Sequence, residues 1–342
     1  MNPSSASLDT LNMNYLLNDF IDVIVNSENL LVLIGALYVS KVSLKIIYRV
    51  ANAIKTYVIP RYSPNSEFAK HYKGRWAVVT GASEGIGRGY AIQLAARNMN
   101  VFLISRNVVK LQNVQQEIFR LYGNKVKTIC YPLDMTKLSD SSVYDALKSK
   151  LDELDVGILV NNVGLFFKRM QFFLTVPRET HDGIINLNMS ALTTMTHMVL
   201  PGMISSGKGA IINIGSGACA HPTPTMSSYS ASKKYVDYLT KTLQYEYAEE
   251  NITFQCIHPF YVSTNMTNNA KPSFFIPDPV TYANSALSTL GYSNTNYGYW
   301  SHGLFGYLGE WLPDCVYNFL AVHINIHLWS WLTGVTIDKK KQ

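Results

Sequence analysis

Residues 75–87 read R-W-A-V-V-T-G-A-S-E-G-I-G. Arg75 to Thr80 predicts a strand buried on both faces, because a short unbroken apolar run ending at a turn signal has no polar side to show water. Gly81, Gly85 and Gly87 predict a tight turn into a helix that runs to Arg97. The same alternation recurs downstream. Asn100–Ser105, Lys127–Pro132, Asp155–Asn161, Gly209–Ile214 and Ile252–His258 are further strand candidates. Leu111–Leu121, Leu138–Leu151, about Thr180 to Ser206, and Ser228–Glu250 are helix candidates.

Short Val/Ile runs alternating with helices predict an α/β protein with a parallel sheet covered by helices on both faces, a Rossmann-like doubly wound arrangement. The chain has 342 residues, room for one large domain with attachments. The charged fraction is 15%, against about 25% for a typical soluble domain. With 47% apolar residues, a disordered chain is excluded, and some apolar surface is expected to face something other than water. A net charge of +6 without a dense basic face gives no reason to expect nucleic acid as a partner. Cys130, Cys219, Cys256 and Cys315 form no C-x-x-C pair, so they read as reduced thiols, with neither a disulfide framework nor a metal site expected.

The N-terminal 65 residues stand apart. The first forty hold Asp9, Asp19, Asp22 and Glu28 and no Lys or Arg, a poor match to a mitochondrial presequence or a cleaved signal. An apolar run from Leu30 to Val39 follows, then Lys41, Lys45 and Arg49, which share one helical face. Two membrane modes fit: a short anchor with its basic side cytosolic, and an amphipathic helix lying in the interface. Three segments are thus expected: 1–65 with the membrane-associated helix, a catalytic domain over 66–300, and an aromatic extension with a lysine tail over 301–342.

Glycines in the first strand–helix turn let a pyrophosphate approach the backbone and meet the helix N-terminus. The expected cofactor bed is Gly81, Ser83, Gly85, Ile86 and Gly87. At the end of the second strand, a carboxylate would mark NAD preference. Ser105 and Arg106 stand there instead, and a guanidinium pairs with a 2′-phosphate, so NADP(H) is expected. Asp134 after the third strand is placed to accept from the adenine amino group, and Asn161 in the N-N-V-G of residues 161–164 closes the fourth strand at its carboxyl end. Tyr229 and Lys233 in Y-S-A-S-K share a helix face, making a tuned proton donor or acceptor. Ser216, just past the fifth strand, is placed to hold a substrate oxygen, and Asn188 to complete a proton relay. Asn188, Asn251 and Asn265 begin sequons, which are frequent by chance and are discounted.

In this order, T-G-x-x-x-G-x-G, Asp134, N-N-V-G, Asn188, Ser216 and Y-S-A-S-K resemble the short-chain dehydrogenase/reductase family over roughly Lys73 to Ser301. The resemblance implies Tyr229 as acid/base, Lys233 binding the ribose and lowering the tyrosine pKa, Ser216 stabilising the carbonyl oxygen, and Asn188 supporting a water relay. It also implies that Pro259 and Thr264 contact the nicotinamide carboxamide. Within the family, L-I-S-R-N, V-L-P-G-M, L-Q-Y-E-Y and P-F-Y-V-S-T are similar to membrane-bound 17-beta-hydroxysteroid dehydrogenases and very-long-chain 3-oxoacyl-CoA reductases. G-R-W-A-V-V and G-Y-W-S-H are similar to the hydroxysteroid dehydrogenase-like subgroup, whose vertebrate members are called inactive because Phe replaces the catalytic Tyr. Tyr229 is present here. Gly215 departs from the usual first serine of a Ser-Ser pair, and Phe260 from the usual Gly after Pro259.

The expected reaction is reduction of a ketone, or oxidation of a secondary alcohol, on a hydrophobic substrate such as a steroid or 3-oxoacyl-CoA. The other reading is a catalytically idle NADP-binding scaffold. Phe166, Phe167, Phe172 and Phe173 flank the fourth-strand exit, and Phe274, Phe275 and Ile276 form an expected substrate lid. The extension carries Trp300, Phe305, Tyr307, Trp311, Tyr317, Phe319, Trp329 and Trp331, a composition suited to a membrane interface. His323 and His327 share a face without a nearby acid, so packing is expected there. Lys339, Lys340 and Lys341 resemble a dilysine retrieval signal, pointing to the endoplasmic reticulum membrane with the catalytic domain in the cytosol; the mitochondrion is the alternative. A membrane, a hydrophobic small molecule and a second copy in a homodimer are the expected partners.

Overall fold

A computed structural model describes residues 6–62, 68, 71–167 and 170–320. The expectations for residues 323, 327, 329, 331 and 339–341 therefore lie outside the described residues. The chain divides into two compact units, 1–52 and 53–342.

The described residues of the first unit are helical. Helix α1 is Ala6–Asn26, and α2, Glu28–Tyr57, runs from this unit into the second. At 30 residues and with a mean hydropathy of 2.0 in its most apolar window, α2 is long and apolar enough to cross a membrane. Leu30 to Ile34, at the start of this helix, are all exposed.

In the second unit, the described residues form one parallel sheet. Its strands are β1 Trp76–Thr80, β2 Asn100–Ser105, β3 Thr128–Pro132, β4 Val156–Asn161, β5 Gly209–Ile214, β6 Ile252–Ile257 and β7 Thr295–Asn296. Their order is β3-β2-β1-β4-β5-β6-β7. The six strands read from the sequence sit within a residue of their expected bounds. The seventh is two residues long, too short to leave a pattern. The order turns about β1 and β4, and the crevice above that switch point is where open α/β sheets bind ligands.

Alternation within each strand builds the two helical layers. Ala77 and Val79 of β1 face one core with Leu94 of α3 (Gly85–Ala96), Leu111 of α4 (Val108–Tyr122) and Leu287 from Pro279–Ser288. Val78 faces the other core with Leu147 of α5 (Ser141–Asp152) and Met195 of Ala191–Ser205. Side-chain caps set two helix starts away from the apolar pattern. Asn107 accepts from the Lys110 amide and starts α4 ahead of Leu111, and Asp140 accepts from the Ser142 amide and starts α5 after Leu138.

The expected long helix over 180–206 is interrupted. It comprises α6 Arg178–Ile185, a π-helical turn Asn186–Ser190, and α7 Ala191–Ser205. Such turns concentrate at functional sites, and Asn188 lies in this one. Helix α8, Ser227–Glu246, carries Tyr229 and Lys233, and α9 is Pro279–Ser288.

The extension forms α10 Trp300–Gly309 and α11 Asp314–Leu320. Helix α10 is inside out. Ser301, His302, Gly303 and Gly306 are buried, while Leu304, Phe305 and Leu308 are exposed. The glycines explain this inversion. A Cβ on Gly303 would lie 2.9 Å from the Tyr57 ring, and one on Gly306 only 1.9 Å from that of Tyr297. Close approach of two aromatic rings reserves the inner face for small residues and sends the apolar bulk outward.

Candidate active site

Most of the expected residues line three abutting cavities; Gly87, Asn161 and Asn188 do not. The first is a groove of about 390 Å³ lined by Gly81, Ser83, Gly85, Ile86, Ser105, Arg106, Asp134 and Thr264. Gly81 has φ +66° and Gly85 has φ +56°, conformations that glycine adopts at no steric cost. Gly87 does not line the groove. Its missing Cβ would stand 2.3 Å from the Gly81 carbonyl oxygen and 2.5 Å from Asn162 Nδ2, so it serves helix–strand packing.

The Ser83 and Ser105 hydroxyls are 2.8 Å apart, tying the glycine turn to the end of β2. Asp134 Oδ1 accepts from the Thr136 amide and hydroxyl at 3.0 and 2.8 Å. Burial pushes this carboxyl up, but the Thr136 hydrogen bonds and the charges of Arg106 and Lys137 outweigh it and hold it below the usual range. Arg106 is exposed at the groove edge. Glu84 and Lys110 were not singled out in the sequence, and Asn265 was noted only as the start of a discounted sequon. Glu84 accepts from both of the others, with Asn265 Nδ2 at 2.7 Å, closing a polar strap at the groove.

Asn161 is placed differently from expectation. It follows Val160, which faces the first core, so period-two alternation sends its side chain to the opposite face. There it is buried and donates to Thr196 and to Asn213 of β5. The next residue, Asn162, lines the groove and donates to the Thr80 carbonyl at 2.9 Å.

A cavity of about 120 Å³ adjoins the groove, sharing Gly164 and Thr264 with it, and has Ser216, Tyr229, Lys233 and Pro259 on its other walls. Lys233 is buried and donates to the Ile214 carbonyl at 2.8 Å. Asn188 accepts from the Leu165 amide at 2.7 Å and donates to Ser232 Oγ at 3.0 Å, which fixes the loop after β4. Lys233 Nζ and Asn188 Oδ1 both face Gly164; a Cβ there would lie 3.5 and 3.2 Å from them.

Burial pushes the Tyr229 phenol up to about 12, with a Ser216 hydrogen bond pulling it down and Cys219 adding to the rise. Burial also pulls the Lys233 ammonium down to about 8, against the opposing pull of Cys256 and Cys219. Burial therefore sets the tyrosine's shift upward, against the lowering expected from Lys233. The ammonium sits 5.8 Å from the ring centroid and bonds a carbonyl, while the phenol lies in an apolar wall. A phenol kept protonated is the state a proton donor needs.

The third cavity, also about 120 Å³, shares Ser216, Tyr229, Pro259 and Phe260 with the second. Phe166, Met170, Met226, Tyr261 and Tyr317 complete its mainly apolar lining. Phe166 meets the Tyr229 ring edge-on, with centroids 4.7 Å apart. The other phenylalanines expected at the fourth-strand exit and in the lid do not line this cavity. Phe167 is buried, Phe172 and Phe173 are exposed, and Phe274 and Phe275 pack on Trp300 and Phe305. Tyr317 comes from the extension, where its ring stacks on His221 at 4.1 Å, and His221 bonds Asp314 at 2.7 Å.

Among the described residues, Asp237, Cys256 and His258 bring ligand-type atoms within 4.8 Å of one another. Lys241 Nζ lies 2.8 Å from the same carboxylate, and a cation placed there would face that ammonium.

The family model for short chain dehydrogenase matches residues 75–273. The chain belongs to that family. It is 40% identical over 311 residues to human inactive hydroxysteroid dehydrogenase-like protein 1, covering 90% of this chain and 88% of the relative. It is 43% identical over 254 residues to very-long-chain 3-oxoacyl-CoA reductase of Anas platyrhynchos, covering 74% and 80%. A short-chain dehydrogenase from Sphingobium yanoikuyae, solved in complex with NADPH, superposes with a TM-score of 0.55 at 29% identity, over 62% of this chain and 83% of that one. Of the motif residues of this chain, Gly81, Gly85, Asp134, Asn162, Gly164, Ser216, Tyr229 and Lys233 line the groove and cavities just described.

Proposed function

We propose that this short-chain dehydrogenase is an active NADP(H)-dependent oxidoreductase that interconverts a ketone and a secondary alcohol on a hydrophobic substrate, a steroid or a 3-oxoacyl-CoA. The observation that carries this reading is that Tyr229 and Ser216 wall both the apolar cavity and the cavity of Lys233. The bed fits the cofactor: its glycines leave room that a Cβ would fill, its volume is ample, and a serine and an arginine stand where β2 ends.

NADPH, when bound, supplies the hydride. Gly81, Ser83, Gly85 and Ile86 would hold its pyrophosphate side, Ser105 and Arg106 its 2′-phosphate, Asp134 its adenine, and Pro259 and Thr264 its carboxamide. Ser216 would orient the substrate oxygen, and Tyr229 would donate its proton to that oxygen. Lys233, with Asn188 beside it, would bind the ribose and return the proton through water. Reduction suits these residues at neutral pH, because Tyr229 is a phenol there and Lys233, with its pKa near 8, is still mostly charged.

Arg106→Ala is expected to weaken NADPH binding by roughly ten- to a hundredfold, the worth of a charge-assisted hydrogen bond, while leaving NADH binding within about twofold. Fluorescence titration of both cofactors checks this; an NADH preference that survives the change contradicts it. NADPH consumption with a panel of ketosteroids and 3-oxoacyl-CoAs tests the activity itself. The second reading, an idle NADP-binding scaffold, is favoured by the name of the human relative. The presence of Tyr229, Lys233, Ser216 and Asn188 favours the active one.

The reading includes a membrane. Helix α2 and the apolar outer face of α10 both suit lipid, and such a surface would deliver a lipid-like ketone near the cavity that Tyr317 walls. We place the chain at the endoplasmic reticulum with its catalytic domain cytosolic. Imaging of a tagged chain is expected to show a reticular pattern that is lost when residues 339–342 are removed; a mitochondrial pattern in both contradicts it.

A further inference from the structure

Three segments that carry proposed site residues converge on one buried histidine that the reaction does not use. His258 directly precedes Pro259, and its Nδ1 lies 3.2 Å from Cys219 Sγ. Cys219 ends the 3-10 turn Gly217–Cys219 that follows Ser216, whose hydroxyl accepts from the Ala218 amide at 3.2 Å. The other ring nitrogen, Nε2, lies 3.2 Å from Asp237 Oδ1. Asp237 sits one helical turn past Lys233 on α8, and its carboxylate is held from the same helix by Lys241 at 2.8 Å and Lys234 at 3.5 Å. His258, Asp237 and Cys219 are all buried.

Two departures from the family pattern fit this arrangement. A Cβ on Gly215 would stand 2.6 Å from His258 Nδ1, so the ring occupies the space of the serine side chain expected at 215. A Cβ on Gly217 would stand 2.6 Å from the Phe260 ring, which stacks on Tyr297 at 5.7 Å. His258 and Phe260 thus grip the Gly215–Gly217 segment, with Ser216 between, from either side of Pro259. The Gly217 amide donates to the Pro259 carbonyl at 2.9 Å, closing the contact through the backbone.

We propose that His258 is a positioning residue, a buried clamp that acts through Cys219 and Asp237 to fix the Ser216 turn and the Pro259 segment against the helix of Tyr229 and Lys233. A carboxylate on one nitrogen orients the ring, and the other nitrogen is thereby aimed at the thiol. Small errors in Ser216 matter because the reacting groups must be held to a fraction of an ångström. This inference rests on the reductase reading for its kinetic consequence, while its structural consequence is independent of it.

The test uses the full-length protein with His258→Gln and, as a second variant that keeps the ring, Asp237→Asn. Each is compared with wild type for kcat and KM per folded protein, and for the labelling rate of Cys219 by an aromatic disulfide, followed peptide by peptide because Cys315 is exposed. The clamp predicts about a tenfold fall in kcat with the NADPH KM within about twofold, and labelling of Cys219 faster by about tenfold in both variants. A fall in melting temperature with kcat unchanged overturns it, as does unchanged labelling. Should wild type turn over no ketone, the reductase reading falls and labelling alone decides the clamp: faster labelling supports it and equal labelling overturns it.

Discussion

Tyr229→Phe is expected to abolish turnover while leaving NADPH affinity within about twofold. The phenol is the one proposed proton donor that lines the apolar cavity, and Ser216 lies on the same wall. Removing a positioned general acid costs roughly 10²–10⁴-fold in rate. The phenylalanine ring keeps the edge-on contact with Phe166 at 4.7 Å, so the wall should survive. The cofactor groove does not include Tyr229, which is why binding is expected to persist. Stopped-flow NADPH oxidation and cofactor titration on the same preparation check both halves. Full activity in the variant would remove Tyr229 from the reaction.

The second large effect is expected at Gly87. Gly87→Ala would place a methyl 2.3 Å from the Gly81 carbonyl oxygen, 2.9 Å from its carbonyl carbon and 2.5 Å from Asn162 Nδ2. Two of these are backbone atoms, and the third is the tip of a side chain that is itself hydrogen-bonded. Gly81 is held at φ +66°, and Asn162 is bonded to Thr80. Relief therefore requires the glycine turn to move away from the fourth strand. Overpacking of this kind costs about 1–3 kcal/mol, and it distorts the surface that would carry the pyrophosphate. A melting temperature lowered by several degrees is expected, together with a loss of at least about tenfold in NADPH affinity. Gly85→Ala is the milder comparison. Its methyl would meet the Thr264 side chain at 3.2 Å, leaving the strain of φ +56° as the main cost. An order of severity with Gly85 above Gly87 would contradict the packing account.

Strand positions were legible because each of β1 to β6 is a short apolar run that ends at a polar or turn residue. The glycine turn, Ser216, Tyr229 and Lys233 were legible because their chemistry depends on spacing along single elements. Asn161 was misjudged by one position in a doublet. Alternation from Val160 was the available signal, and it selects Asn162. The interruption at Asn186–Ser190 was hidden, because a single wide turn leaves the apolar pattern on either side intact.

What escaped the sequence was contact between distant segments. The phenylalanines at 274 and 275 are apolar in any context, and only the fold shows that Trp300 and Phe305 meet them instead of the cavity. Tyr317 enters that cavity from the extension, with His221 supporting it. Gly215 and Phe260 appeared as isolated departures; in three dimensions their neighbours are His258 and Gly217.

This chain is proposed to catalyse, although the human relative at 40% identity is called inactive. Incubation of wild-type protein with NADPH and a panel of ketosteroids and 3-oxoacyl-CoAs tests it most directly, with loss of NADPH absorbance as the readout. Oxidation of NADPH matched by alcohol formation from at least one ketone is the result expected. NADPH that binds and is never consumed with any of them would contradict the account and leave a cofactor-binding scaffold in its place.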